Sequence, residues 1–76
     1  MTLRRHSVRI NGHRTSISIE NAFWEELTRA AAARGQSTTA LIAEIDRARA
    51  AEDPPPNLSS ALRIFVLESL KARSPT

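Results

Sequence analysis

The chain has 76 residues, no cysteine and a net charge of +3. That length holds one domain at most, and a domain this small usually draws extra stability from disulfides, a metal or a partner subunit. Without cysteine, disulfides and thiolate metal sites are excluded, and oligomerisation is the expected source of further buried surface.

The charge is placed unevenly. Before Glu20 the chain carries Arg4, Arg5, Arg9 and Arg14 and no acid, while the remainder balances seven Lys and Arg against eight Asp and Glu. A basic segment on a near-neutral body points to a polyanionic partner, although solvated basic tails are also common in small proteins. No apolar run approaches membrane-spanning length, so no membrane contact is expected. The start, Met1-Thr2-Leu3-Arg4-Arg5-His6, has no apolar region behind its charges and does not read as a secretory signal. A cytoplasmic location is the simplest expectation.

Residues 6–10 alternate, with Val8 and Ile10 apolar around Arg9, and predict a strand. Asn11-Gly12 follows, the strongest short signal for a two-residue hairpin because both positions need positive φ. Residues 13–19 alternate in turn. Arg14, Ser16 and Ser18 take one face, and Thr15, Ile17 and Ile19 take the other. In the register that this turn imposes, Arg9 faces Arg14, Val8 faces Thr15, Ser7 faces Ser16 and His6 faces Ile17. Arg5, Ser7, Arg9, Arg14, Ser16 and Ser18 then share the polar face. The alternative is a flexible N-terminal arm with a loop at Asn11-Gly12.

A first helix is predicted over 21–34, with Asn21 as a cap and Gly35 as its stop. Phe23, Leu27, Ala30 and Ala31 form its apolar stripe. Trp24 lies on the edge of that stripe and reads as a core or interface residue rather than a base-stacking one. Ser37 caps a second helix over 38–51, whose buried face is Leu41, Ile42, Ile45 and Ala48. Asp53-Pro54-Pro55-Pro56 ends it and predicts an extended connector. Asn57 or Ser59 caps a third helix over 58–72. Its main stripe is Leu58, Ala61, Leu62, Phe65 and Val66, while Ile64 and Leu67 point elsewhere. A helix apolar on more than one side is expected to be sandwiched, either between its own domain and a partner subunit or between two subunits. Residues 73–76 are expected to fray. There is no internal repeat.

The order of strand, helix, short Gly-containing turn and capped helix resembles the ribbon–helix–helix family of bacterial DNA-binding repressors and antitoxins. The residues that carry the resemblance are Arg14-Thr15-Ser16-Ile17-Ser18-Ile19 for the ribbon and Phe23 to Arg34 for the first helix. Gly35-Gln36-Ser37 matches the turn, and Leu41-Ile42-Ala43-Glu44-Ile45 the second helix. The match covers roughly residues 13 to 50. The flanks are similar to a small branch in which the ribbon follows a hairpin and a third helix is added.

The resemblance implies a mainly α fold with a short β element, built as an intertwined homodimer. Residues 5–19 would form the hairpin or ribbon, 20–52 the two-helix core, 53–57 the connector and 58–73 the third helix of one domain over 1–76. Two chains would pair their strands antiparallel, with Ile17, Ile19, Phe23, Trp24, Leu27, Leu41, Ile42, Ile45, Leu62 and Phe65 in the shared core. A tetramer through the third helix stays open. By analogy Arg14, Ser16 and Ser18 would touch base edges of double-stranded DNA in the major groove. The backbone amides of Ser37, Thr38 and Thr39 would hold a phosphate, and Arg4, Arg5 and Arg9 would add phosphate attraction that weakens with salt.

One feature opposes the simplest version. If residues 5–10 pair beside the ribbon, the dimer has a four-stranded sheet, too wide to enter the groove as a two-stranded ribbon does. The first strand would then peel away, the polar face would meet DNA differently, or the partner would not be DNA. A protein-interaction module, antitoxin or adaptor, is the competing function. No Ser/His/Asp set, buried carboxylate pair or phosphate loop suggests an enzyme. His6 and His13 stand without a matching carboxylate pattern, so no cofactor or metal is expected.

Overall fold

The computed structural model describes residues 3–73. The expected frayed end at 73–76 therefore falls, apart from Arg73, outside the described residues. Five elements follow in order: β1 (Leu3–Ile10), β2 (His13–Glu20), α1 (Asn21–Ala33), α2 (Thr38–Ala50) and α3 (Leu58–Arg73). The mainly helical ribbon–helix–helix architecture expected from the sequence is the one observed.

The two strands form an antiparallel hairpin, not a strand and a loose arm. Its register pairs Arg9 with Arg14, Val8 with Thr15, Ser7 with Ser16 and His6 with Ile17. Asn11 and Gly12 adopt φ of 48° and 83°, the two positive values that a tight hairpin turn requires. β1 is longer than its alternation suggested, running back to Leu3, because β2 continues to Glu20 and offers partners to Arg4 and Leu3. A strand edge recruits backbone whatever the side chains, so Leu3-Arg4-Arg5 pairs without an alternating pattern of its own.

All three helices lie against one face of this hairpin, α2 beneath β1 and both α1 and α3 beneath β2. The core joins Val8, Ile10, Ile17 and Ile19 of the hairpin to Leu27 and Ala31 of α1, Leu41, Ile42 and Ile45 of α2, and Leu62 and Val66 of α3. Every element contributes, so β1 and α3 close a core within one chain that one strand and two helices could not enclose. Of the residues expected in a shared dimer core, Ile17, Ile19, Leu27, Leu41, Ile42, Ile45 and Leu62 are already buried inside a single copy. Phe23, Trp24 and Phe65 are half-buried against that core. Trp24 stacks on His6 of β1, with ring centroids 3.8 Å apart and planes 3° from parallel.

The helix ends follow local chemistry. α1 stops where Gly35 turns to φ 70°. Gln36 N–H then donates to Ala31 O (2.9 Å) and Gly35 N–H to Ala32 O (3.0 Å). This double return of hydrogen bonds satisfies carbonyls that the helix leaves open. Ser37 Oγ accepts from Ala40 N–H at 3.1 Å and starts α2, and Asn57 Oδ1 accepts from Ser60 N–H at 2.8 Å and starts α3. Asn21 is not the cap of α1. Glu20 holds that position and makes no side-chain cap bond, because its carboxylate is engaged by Arg63 instead. Ala48 is exposed rather than buried, since α2 leaves the core there on its way to the connector. Arg49 fastens that exit by donating to Asp46 and to Pro56 O.

Candidate nucleic-acid interface

A hairpin with helices on one side has a second side that faces outward, and the register decides what stands there. Directly opposed residues share a face. The outward face therefore carries three successive rungs: Arg9 with Arg14, Ser7 with Ser16, and Arg5 with Ser18. All six residues are exposed. Among the described residues none of the three arginines makes an ion pair. Glu20, at the far end of the same face, is the one acid in line with them, and its charge is taken by Arg63.

The face is held at both ends. At the turn, Asn11 Nδ2 donates to Asp46 Oδ2 at 3.2 Å and Arg47 Nη1 donates to Asn11 Oδ1 at 3.0 Å, tying the loop to α2. At the other end, Arg63 Nε donates to Glu20 Oε1 at 3.0 Å, and Ser59 Oγ donates to the backbone carbonyl of Ser18 at 3.1 Å. Arg63 also stands over the Phe23 ring, 5.8 Å from its centroid. The arginine and serine side chains thus project from a strand pair whose turn and root are both fixed to helices.

The Arg63 guanidinium, hydrogen-bonded to Glu20, holds that carboxyl below the ordinary glutamate range, and a bond from its own backbone N–H adds to the effect. A carboxyl whose pKa is depressed by folding stabilises the fold above its unfolded pKa. That contribution is lost as pH falls through the folded value. Urea midpoints measured down through the carboxylate range should therefore fall less steeply for Glu20→Gln than for the parent chain. Equal slopes would show that the pair contributes nothing to acid sensitivity.

The other residues singled out in the sequence lie elsewhere. Arg4 falls on the opposite side of the hairpin from Arg5 and Arg9, paired with Ile19, and is exposed there. Ser37, Thr38 and Thr39 open α2, with Thr38 Oγ1 donating to Thr28 Oγ1 at 3.1 Å. α2 meets the hairpin turn through Asp46 and Arg47, nine residues beyond Ser37, which is about 14 Å along a helix. The turn at Ser37–Thr39 is tied through Thr38 to α1 and, among the described residues, makes no side-chain hydrogen bond to the hairpin. Trp24 is committed to His6, as the reading of a packing role implied. Ser7 belongs to the outward face by register alone, a position that the Asn-Gly turn already implied. The anchors Asn11, Ser59 and Arg63 carry no local signal.

Among the described residues no helix is long and apolar enough to cross a membrane. The family model described as a ribbon-helix-helix domain matches residues 3–70. No curated protein and no solved structure matches the chain.

Proposed function

The chain belongs to the ribbon–helix–helix domain family, matched over residues 3–70, and from that premise we propose that it is a homodimeric DNA-binding regulator that presents the outward face of its hairpin to duplex DNA. The family's domains commonly serve DNA-binding regulators and antitoxins. The observation that carries the reading is the face itself. Three exposed arginines, without ion pairs among the described residues, share that face with three exposed serines, and no acid lies between Arg5 and Ser18. Arginine forks match guanine O6 and N7, and serine hydroxyls donate or accept. The test is fluorescence anisotropy with duplex fragments of the source genome, at salt rising from about 50 to about 200 mM. Binding that weakens steeply with salt, with some fragments preferred, is expected. Absence of binding at low salt, together with a stoichiometric protein partner in a pull-down, would favour the adaptor or antitoxin reading instead.

That second reading, and the dimer, draw on α3. Ile64, Leu67 and Leu70 stand 55%, 53% and 39% exposed, and Ile64 and Leu67 are the two residues whose spacing set them apart from the main stripe. Beside this ridge lies a groove of about 250 Å³ lined by Ala22, Phe23, Glu26, Val66 and Leu70. Ridge and groove on one surface can interlock with the same surface of a second copy about a two-fold axis. A second copy is the occupant that a 76-residue chain needs most for extra burial. Leu67→Glu should therefore shift light-scattering mass from twice 8.4 kDa to the single chain at micromolar concentration while leaving the circular-dichroism spectrum intact. An unchanged dimer would place the contact elsewhere, at the open edge of β2.

A further inference from the structure

We propose that Asn11-Gly12, at the hairpin tip, is a site of spontaneous covalent modification, the loss of ammonia from the Asn11 carboxamide. Docking of the turn on α2 holds the reaction in check, and the product cannot dock in the same way again.

The reacting groups are neighbours in the chain. The backbone nitrogen of Gly12 attacks Cγ of Asn11. A Cγ–N bond forms and the Cγ–Nδ2 bond breaks. The proton of the Gly12 N–H passes through solvent to the departing nitrogen, which leaves as ammonia. Water then opens the five-membered imide at one of its two carbonyls and gives aspartate or isoaspartate. No other reactant is needed. A side chain on the following residue would shield the attacking nitrogen, and glycine has none. A Cβ built on Gly12 would meet nothing within 4 Å, and both residues are exposed. The other asparagines, Asn21 and Asn57, precede Ala22 and Leu58 and sit at helix starts.

The folded turn opposes the reaction in two ways. With φ of 48°, Asn11 is in the left-handed region, where ψ is about +47°. That rotation sets the Gly12 nitrogen anti to Cβ about the Cα–C bond, whereas ring closure needs the two eclipsed. The carboxamide is also gripped at both ends. Nδ2 donates to Asp46 Oδ2 at 3.2 Å, and Oδ1 accepts from Arg47 Nη1 at 3.0 Å. Asp46 is itself fixed by Arg49, 2.7 Å away. The tip must leave α2 and its left-handed conformation before it can react, so the rate measures local opening.

The product loses the grip. An ionised carboxylate only accepts hydrogen bonds. Aspartate at this position keeps Arg47 but meets Asp46 with a like charge where the amide donated. Isoaspartate also routes the main chain through Cβ and Cγ, adding an atom to a turn whose two-residue length sets the pairing of Arg9 with Arg14. Either product lowers the net charge of +3 by one at the tip of the basic hairpin, and attraction to a polyanion falls with it.

The experiment is incubation of the full chain at mildly alkaline pH, folded and unfolded in urea, beside folded Arg47→Ala. Mass spectrometry of proteolytic fragments assigns the converted residue, and retention separates aspartate from isoaspartate. Thermal melts confirm that Arg47→Ala folds, and Asn11→Asp reports on the product directly. In the folded chain Asn11 should convert ahead of Asn21 and Asn57, about tenfold or more slowly than in urea. Arg47→Ala should convert at least about threefold faster than the folded parent, and Asn11→Asp should melt below it. Absence of conversion in urea overturns the site. Equal rates folded and unfolded overturn the protection by the turn, and an Arg47→Ala rate equal to the parent's overturns the part given to α2. An Asn11→Asp melt equal to the parent's overturns the loss of docking.

Discussion

Arg14→Ala should lower affinity for a preferred duplex by about 10- to 100-fold and reduce the log–log salt slope by about one. The side chain is exposed, stands opposite Arg9 and has no ion-pair partner among the described residues. Nothing in the fold depends on it, so its loss reads out binding alone. A bidentate arginine–guanine contact discriminates by about 1–3 kcal/mol, which sets the range. Arg14→Lys separates charge from geometry. It should restore the salt slope but not the preference, because an ammonium is a point charge and cannot form the planar fork. Arg29 of α1 is the matched control. It is a surface arginine 3.5 Å from Glu26, away from the hairpin, and Arg29→Ala should leave the preferred site unchanged. If Arg14→Ala binds the same duplexes with the same selectivity, the outward face does not touch DNA.

The parts of this interface that could be read from the sequence are those with a local cause. The Asn11-Gly12 turn forces its register on both strands. From that register follow the opposition of Arg9 and Arg14 and the sorting of arginine and serine from isoleucine and valine. The turn Gly35-Gln36-Ser37 likewise stops one helix and starts the next through bonds that span five residues or fewer. What could not be read depends on contacts across the fold. Arg63 reaches Glu20 over 43 positions, Ser59 reaches Ser18 over 41, and Asn11 reaches Asp46 over 35. Each is a polar pair that exists only once α2 and α3 are docked, and neither partner's neighbours announce it. Leu3-Arg4 was missed for a related reason. Its strand conformation is imposed by β2, not by its own alternation. The two apolar sides of α3 were legible from spacing, but spacing alone could not say which side its own domain takes. The structure gives the domain Leu62 and Val66 and leaves Ile64 and Leu67 outside.

That division of α3 leads to the largest expected change in stability. Leu62 is fully buried and lies in one core with residues of both strands and the other two helices. Leu62→Ala removes three carbon atoms from a site with no solvent to fill the gap, at a cost of about 3–5 kcal/mol. A small domain has about 5–15 kcal/mol in all, and one of this length sits near the lower end. At about 4–8 °C per kcal/mol for a domain of this size, the melting temperature should fall by roughly 12–40 °C at fixed protein concentration. Ile64→Ala, two positions along the same helix but 55% exposed, should shift the melt of the isolated chain by no more than about 0.5 kcal/mol. Its effect should appear in the dimer equilibrium, which makes its melt depend on concentration. The contrast separates two pictures of the fold. If α3 is a wall of the core, position 62 governs folding and position 64 governs association. If α3 merely rests against a unit already complete with two helices and a partner's strand, Leu62→Ala and Ile64→Ala will cost similar small amounts, and the single-chain core inferred for this protein will be wrong.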